Sequence, residues 1–435
     1  MVTQALNVWM NGELVGRWTV DRAAHTFRYD TTWLASSHRR SLSLSLPISS
    51  SLEIKGEVVR NYFDNLLPDN EKIRSRLGKR FGAKTDTFGL LEAIGRDCVG
   101  AVQLLPDGVR ADGWNCIECE QLSDEQIGEL LQNVPSDMAP AHDNDLFRIS
   151  IAGAQEKTAL IRWNDQWCRP NGSTPTTHIF KLPLGIIGGT RVDLSDSVHN
   201  EWLCAQIVTA LGLQAATTTI GTFAEETVLV VERFDRKWMD DGAWIARLPQ
   251  EDFCQALGIS PDKKYEHHGG PGMLQCLQLL QGSLDKNDAL FFLLTQLAFF
   301  LLAAPDGHAK NFSIFLQRGT GYEMTPLYDI LSAWPYLEPG PNQLSRHKAA
   351  LAMAVRSKNA HYIFREIHAR HWRQLAMKNG GPTVWEAMLL LVERVDTALS
   401  TVEMLLPNDF PQRTWLTISA GMRAEAKRFL SEPTH

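Results

Sequence analysis

Asp306 and Asn311 stand five residues apart in the segment Pro305-Asp306-Gly307-His308-Ala309-Lys310-Asn311-Phe312. A carboxylate at the first position can take the proton of an attacking hydroxyl, and an amide oxygen at the second can bind a hard divalent cation. Another carboxylate, Asp329, follows in Thr325-Pro326-Leu327-Tyr328-Asp329-Ile330. Far upstream, His178-Ile179-Phe180-Lys181-Leu182-Pro183 places an ammonium group after an apolar run. A base, two cation-binding oxygens and a lysine for phosphate oxygens are the parts that phosphoryl transfer from ATP and Mg²⁺ requires.

The spacing of Asp306 and Asn311 is that of the D-x-x-x-x-N catalytic loop of protein kinases, with Asp306 orienting the hydroxyl and Asn311 on Mg²⁺. Taken alone, the same residues read as an Asp-Gly turn after a helix. Asp329 suits a second Mg²⁺ ligand at a strand end, while alone it reads as the N-cap of a helix ILSAW. Lys181 fits the lysine that meets α/β-phosphates, or else an edge-strand lysine. Glu201, twenty residues on, is the candidate helix partner of that lysine, or a solvent-facing acid. The place of a phosphate-covering loop holds Ser150-Ile151-Ala152-Gly153-Ala154-Gln155-Glu156-Lys157, with a single glycine. Small residues there let backbone N–H groups approach phosphate, and Lys157 is an alternative phosphate lysine. Val228 to Asp235 ends a buried strand with Glu232 and Phe234 and fits an adenine-binding hinge; Val228 to Val231 also read as plain core.

These groups need elements to hold them. Asn11-Gly12 between LNVWM and ELVGRW predicts a hairpin, and the Ser/Leu alternation of Ser41 to Leu46 predicts a half-buried strand. GEVVRNYFDNLL and NEKIRSRLGKRF predict helices punctuated by Pro68-Asp69-Asn70. Ser123 and Gln126 form a capping-box pattern before IGELL. FRISIAG, KTALIRW, HIFKLP and TVLVVERF read as strands around one helix, VHNEWLCAQIVTALGL. NFSIFLQ and GYEMTPLYD read as a hairpin that brackets Asn311 and Asp329. Apolar-periodic helices run through 273–282, 287–304, 383–406 and 420–430. The expected fold is α+β and two-lobed, protein-kinase-like: an N-terminal mixed α/β subdomain (1–140), a strand-rich nucleotide-binding lobe (141–238) and a large all-helical C-terminal lobe (239–435).

The bulk composition narrows the class. With 50 acidic and 43 basic residues among 435, the chain is acidic and no general nucleic-acid coat. Residues 346–378 run against this balance, with eight Lys or Arg, Arg370, Arg373 and Lys378 among them, against Glu366 alone. They read as a DNA-contacting face or as a solvated helix face. The apolar run 289–304 is shorter than a membrane span and reads as a core helix. Seven scattered cysteines suit a reducing cytoplasm. Cys116-x-x-Cys119 lacks a second ligand pair for zinc. The commonest hydrolase motifs, G-x-S-x-G and H-E-x-x-H, do not occur.

The ordered run FRISIAGAQEKTAL, TPTTHIFKLP, VERFDR, RLPQEDFCQ, DGHAKNFS and TPLYDILSA resembles the HipA toxin kinases of bacterial toxin–antitoxin modules. The likeness covers almost the whole chain. It implies an ATP-dependent serine/threonine-protein kinase, with an aminoacyl-tRNA synthetase, glutamyl-tRNA synthetase foremost, as the protein substrate. Inhibited translation and persistence would follow. The resemblance also implies autophosphorylation at Ser150, ATP binding through the 152–157 loop, Lys181 and the backbone near Phe234, catalysis by Asp306, and Mg²⁺ on Asn311 and Asp329. His308 replaces the lysine usual in eukaryotic kinases, so the γ-phosphate contact differs. Leu184 to Asp196 would be an activation-type loop. The implied partners are a HipB-like helix-turn-helix antitoxin dimer and, through it, operator DNA, in the cytoplasm or on the nucleoid and not at a membrane. The alternatives are a catalytically weak DNA-anchoring co-repressor and a small-molecule kinase.

Overall fold

The computed structural model describes residues 4–135, 149–150, 153, 155–187, 191–337 and 342–433. Two compact units emerge: Met1–Leu182 with Gly221–Lys264 and Ser313–Thr325, and Pro183–Ile220 with Tyr265–Phe312 and Pro326–His435.

The first unit begins with an antiparallel sheet in which Glu53–Lys55, Ala24–Tyr29, Glu13–Asp21, Gln4–Met10 and Val102–Pro106 lie in that order. Its first hairpin turns at Asn11 (φ 44°) and Gly12 (φ 81°). Positive φ at both centres matches the right-handed strand twist, which is why Asn-Gly is favoured there. Helices Glu57–Asp64 and Glu71–Phe81 follow, the second capped by the Asn70 side chain. Their apolar faces and the sheet bury Trp18, Phe27 and Phe63 in one core, with the Trp18 and Phe63 rings stacked at 4.1 Å. The capping box on helix Asp124–Asn133 is formed as expected.

Ser41 to Leu46 is not a strand. Leu42 and Leu46 are buried, and so is Ser43, which the alternation would have left wet. Local hydrogen bonding wins over the ladder: Ser43 Oγ caps the Ser45 amide (3.0 Å), Ser45 Oγ donates to the Gln255 carbonyl (2.6 Å), and the Leu44 amide donates to Glu251 (2.8 Å).

The unit's second sheet sets Glu226–Glu232, His178–Lys181, Lys157–Trp163, Gln166–Pro170 and Cys119–Gln121 side by side. It packs on the helix Asp124–Asn133 through Leu160, Phe180, Val228, Ile127 and Leu131. Of the expected strand FRISIAG, Ile149–Ser150 pairs in parallel with Asp97–Cys98, while 147, 148, 151 and 152 lie outside the described residues.

Beneath this sheet lies a buried charge cluster. Asp97 receives Arg233 (3.2 Å), Arg236 (2.9 Å) and Arg247 (3.2 Å), and Asp235 receives Arg233 (2.8 Å) and Arg236 (3.0 Å). Burial alone would push both carboxyls up. The guanidinium groups override it and hold them below the ordinary carboxylate range. Nearby, burial pushes the Glu251 carboxyl up to about 8; Oε1 accepts the Leu44 amide, and Oε2 has no hydrogen-bond partner among the described residues.

The second unit is dominated by helices Ser197–Ala210, Met273–Leu280, Asp288–Leu301, Ala369–Lys378, Pro382–Glu393, Val395–Glu403 and Gln412–Ser431. Two short hairpins, Gly185–Ile187 with Val192–Leu194 and Ala350–Arg356 with Ala360–Ile363, are set among them. The basic stretch 346–378 is therefore partly hairpin rather than one helix face. Helix Asp288–Leu301 is the apolar centre, with Phe292, Leu293, Leu297 and Phe300 almost wholly buried. No helix among the described residues is long and apolar enough to cross a membrane.

Two stability tests follow. Asp97→Asn leaves three buried guanidinium groups around one carboxylate, and the expected cost is about 3–5 kcal/mol in guanidinium unfolding. Glu251→Gln tests the buried neutral acid. A folded-state value raised from 4.5 to about 8 means that stability is full below pH 4.5 and is lost as pH climbs to 8. The variant should match the parent near pH 4.5 and exceed it by roughly 3–5 kcal/mol at pH 8–9, since one pKa unit is about 1.4 kcal/mol.

Candidate active site

In the second unit, helix Asp288–Leu301 ends in a Schellman turn: the Ala304 amide donates to Phe299 (2.8 Å) and Ala303 to Phe300 (3.1 Å), with Ala303 left-handed at φ 47°. The chain then enters Pro305-Asp306-Gly307. A Cβ on Gly307 would lie 2.5 Å from the Phe299 ring, so only glycine lets this loop lie against its own helix. The His308 amide donates to the Asp306 carbonyl (2.8 Å), and the Asn311 amide to the His308 carbonyl (2.9 Å). These bonds wind the loop into a tight turn ending in the 3₁₀ segment Ala309–Asn311.

Asn311 is 6% exposed, and its side-chain nitrogen donates to the Asp306 carbonyl (2.7 Å). A carbonyl only accepts, so the end of the Asn311 amide that faces it is the nitrogen, and the amide oxygen is left for another partner. The Asp306 carboxyl is 45% exposed. It accepts a hydrogen bond from the Tyr265 hydroxyl, and His308 Nε2 lies 3.5 Å away. The His308 imidazole is buried edge-on against the Tyr265 ring at 4.8 Å.

Asp329 is brought to this loop by its neighbour. The Tyr328 hydroxyl donates to the Lys310 carbonyl (2.9 Å). Ser332 Oγ donates to the Leu302 carbonyl (2.6 Å) and the Ala333 amide to Ala303 (2.9 Å), lacing 328–333 along the end of the core helix. Asn200 adds a two-way bond to the Ser332 backbone. Asp329 caps no helix: residues 328–333 are irregular, and Asp329 itself has φ 61°. A left-handed aspartate is uncommon and costs on the order of 1 kcal/mol, a strain that clusters at functional positions. The Asn311 amide oxygen and the carboxylate of half-buried Asp329 are hard oxygen donors of the kind Mg²⁺ takes, so these residues fit that ion. Glu201 also belongs to this unit, 4% exposed on helix Ser197–Ala210. Arg370, Arg373 and Lys378 lie on helix Ala369–Lys378, with Arg370 and Lys378 exposed.

The first unit holds the other candidates. Lys181 ends a central strand and is 6% exposed. Its register partner on the next strand is Lys157, so the two residues stand opposite each other on one face. The Lys157 ammonium lies against Gly153, where an added Cβ would come within 2.5 Å of it. Gly153 has φ 114°, which only glycine adopts without strain. Ser150 is fully buried, and its hydroxyl donates to the Leu66 carbonyl (2.7 Å). Glu232 is exposed at the end of its strand, and Phe234 packs edge-on to Phe315 at 5.9 Å. Ala152 and Ala154 lie outside the described residues.

Tyr265 is 41 residues before Asp306, and no local pattern announces their bond. Arg233 and Asp235, read as the end of a hinge strand, prove to be the centre of the charge cluster.

A buried-lysine sheet in one unit, and in the other a core helix followed by a D-x-x-x-x-N turn and a tethered aspartate, define a protein-kinase-like fold. The chain belongs to the HipA family: residues 149–402 match the HipA-like C-terminal domain, and residues 6–105 the HipA N-terminal domain. It is 32% identical to the putative kinase Y4mE of Sinorhizobium fredii, over 92% of each chain. It is 28% identical to the serine/threonine-protein kinase toxin HipA of Shewanella oneidensis, over 77% of this chain and 76% of that one. The solved Shewanella oneidensis complex of HipA, HipB and operator DNA shares the fold, with a TM-score of 0.79 at 24% identity, covering 98% of this chain and 97% of that one.

Gly307→Ala should cost roughly 1–3 kcal/mol in thermal or guanidinium unfolding, because the new methyl overpacks the Phe299 ring. Adding Phe299→Leu should recover part of that loss; a double variant as unstable as the sum of the two singles would contradict the contact.

Proposed function

We propose that this chain is an ATP-dependent serine/threonine-protein kinase toxin. The observation that carries the reading is the Asp306–Asn311 turn, which commits the Asn311 nitrogen and offers its oxygen beside an exposed carboxylate. Asp306 orients the substrate hydroxyl and takes its proton. Lys181, with Lys157 opposite, meets the negative charge of the triphosphate, and the backbone around Gly153 covers it. The segment Glu232 to Phe234 meets adenine. Asn311 and Asp329 would hold Mg²⁺, which supplies charge neutralisation on the transferring group. Glu201 is the proposed partner of Lys181, and His308 supports Asp306 from its buried side.

Ser150 is proposed as an autophosphorylation site. A phosphate there adds roughly −1.5 to −2 charges and is incompatible with a hydroxyl buried against the Leu66 carbonyl. Modification must therefore expel Ser150 from its strand and disturb the adjoining phosphate loop. The protein substrate is proposed to be an aminoacyl-tRNA synthetase, glutamyl-tRNA synthetase by family likeness, so that its modification stops translation and favours persistence. The relative solved with HipB and operator DNA supports a HipB-like antitoxin and operator DNA as partners in the cytoplasm. Arg370, Arg373 and Lys378 are the proposed DNA-facing cations.

Asp306→Asn should fold as the parent does and lose transfer from γ-labelled ATP by on the order of a hundredfold or more, both onto itself and onto a synthetase substrate. Full activity in that variant would remove Asp306 from the mechanism. Ser150→Ala should abolish self-labelling while sparing transfer to the synthetase.

A further inference from the structure

Within the first unit lies a cavity of about 120 Å³. Its walls come from helix Glu71–Phe81, from the end of helix Asp124–Asn133 and from the start of strand Lys157–Trp163. Among the described residues its charged lining is Arg76, Arg80, Lys157 and Arg169 against one carboxylate, Glu156. Glu156 is already paired with Arg76, and Arg169 also reaches Glu120 at 3.7 Å. The remaining wall is apolar, with Ile73, Leu77, Phe81, Leu130 and Val134.

Size decides between ligands. An engineered cavity of about 150 Å³ holds one benzene, whereas drug-sized ligands need roughly 300 Å³ or more. A nucleotide does not fit this space. A single small oxyanion does, and a lining with four cationic residues against one carboxylate raises its local concentration. We propose that this cavity is a regulatory site for a small oxyanion of the phosphate class.

The site has a route to the catalytic parts, and this consequence rests on the kinase reading. Glu156 and Lys157 are consecutive, and the Glu156 carbonyl accepts the Leu182 amide (3.1 Å), next to Lys181. An anion among Arg76, Arg80 and Arg169 competes with Glu156 for Arg76. It also attracts the Lys157 ammonium away from the backbone at Gly153. Occupancy therefore weakens the phosphate-binding lysine pair and raises KM for ATP.

The test begins without nucleotide or magnesium, so it does not depend on kinase activity. Inorganic phosphate is titrated into the full chain by calorimetry, with chloride at matched ionic strength as control. Saturable binding of one phosphate is expected, weakened at least tenfold by the double variant Arg80→Met/Arg169→Gln and retained in Lys181→Met. Binding lost in Lys181→Met but kept in the double variant would place the phosphate at the nucleotide lysine and overturn the proposal, as would no binding beyond chloride. In a parallel kinetic arm, phosphate should raise KM for ATP at least threefold in the parent and leave it unchanged in the double variant. Equal inhibition of both proteins would likewise overturn the regulatory role.

Discussion

The buried cluster of Asp97, Asp235, Arg233, Arg236 and Arg247 is the constraint on which the geometry around Ser150 depends. Charges taken out of water cost several kcal/mol each unless every one is met by partners. Here they are met densely, although Arg247 Nη1 finds no hydrogen-bond partner among the described residues. Thr176 donates to Asp97 (2.7 Å), the Gly100 amide donates to Asp235 (2.7 Å), and Arg233 and Arg236 both donate to the Cys98 carbonyl (2.9 and 3.0 Å). That last pair of bonds fixes the short strand Asp97–Cys98, and this strand pairs with Ile149–Ser150. The position of Ser150 is thus set in part by hydrogen bonds donated from Arg233 and Arg236. A local sequence window around Ser150 contains none of this.

The second unit solves its positioning problem with neutral bonds to backbone. The D-x-x-x-x-N turn leans on the core helix through the Gly307–Phe299 contact, and the Tyr328, Ser332 and Ala333 bonds lace the Asp329 segment to the same helix end. Each such bond nets only about 1 kcal/mol. What they secure is register: shifting either segment by one residue would break several together. A rigid helix therefore serves as the common reference for both proposed Mg²⁺ ligands.

This division explains what could be read beforehand. The Asn11-Gly12 hairpin, the helix caps at Asn70 and Ser123, and the hairpin of Ser313–Leu316 with Tyr322–Met324 are set by neighbouring residues, so pattern reasoning reached them. Ser41 to Leu46 failed because its partners, Glu251 and Gln255, are more than 200 positions away. Asp329 looked like a helix cap locally, and the ties of Tyr328 and Ser332 to residues 310 and 302 override that preference. Tyr265 and the Arg233 cluster were illegible for the same reason: their roles exist only once distant chain meets.

The pairing of Lys157 with Lys181 carries the argument one step further. Like charges directly opposite on adjacent strands are disfavoured by several tenths of a kcal/mol or more, and a 6% exposed ammonium adds a desolvation penalty. A sheet selected for stability alone would place an apolar residue at one of the two positions. The two lysines stay in register, with the ammonium of Lys157 held against a glycine whose φ of 114° excludes other residues. The left-handed glycine and the paired lysines both fall in the segment proposed to meet the triphosphate, so this corner of the sheet combines features that core packing alone does not call for.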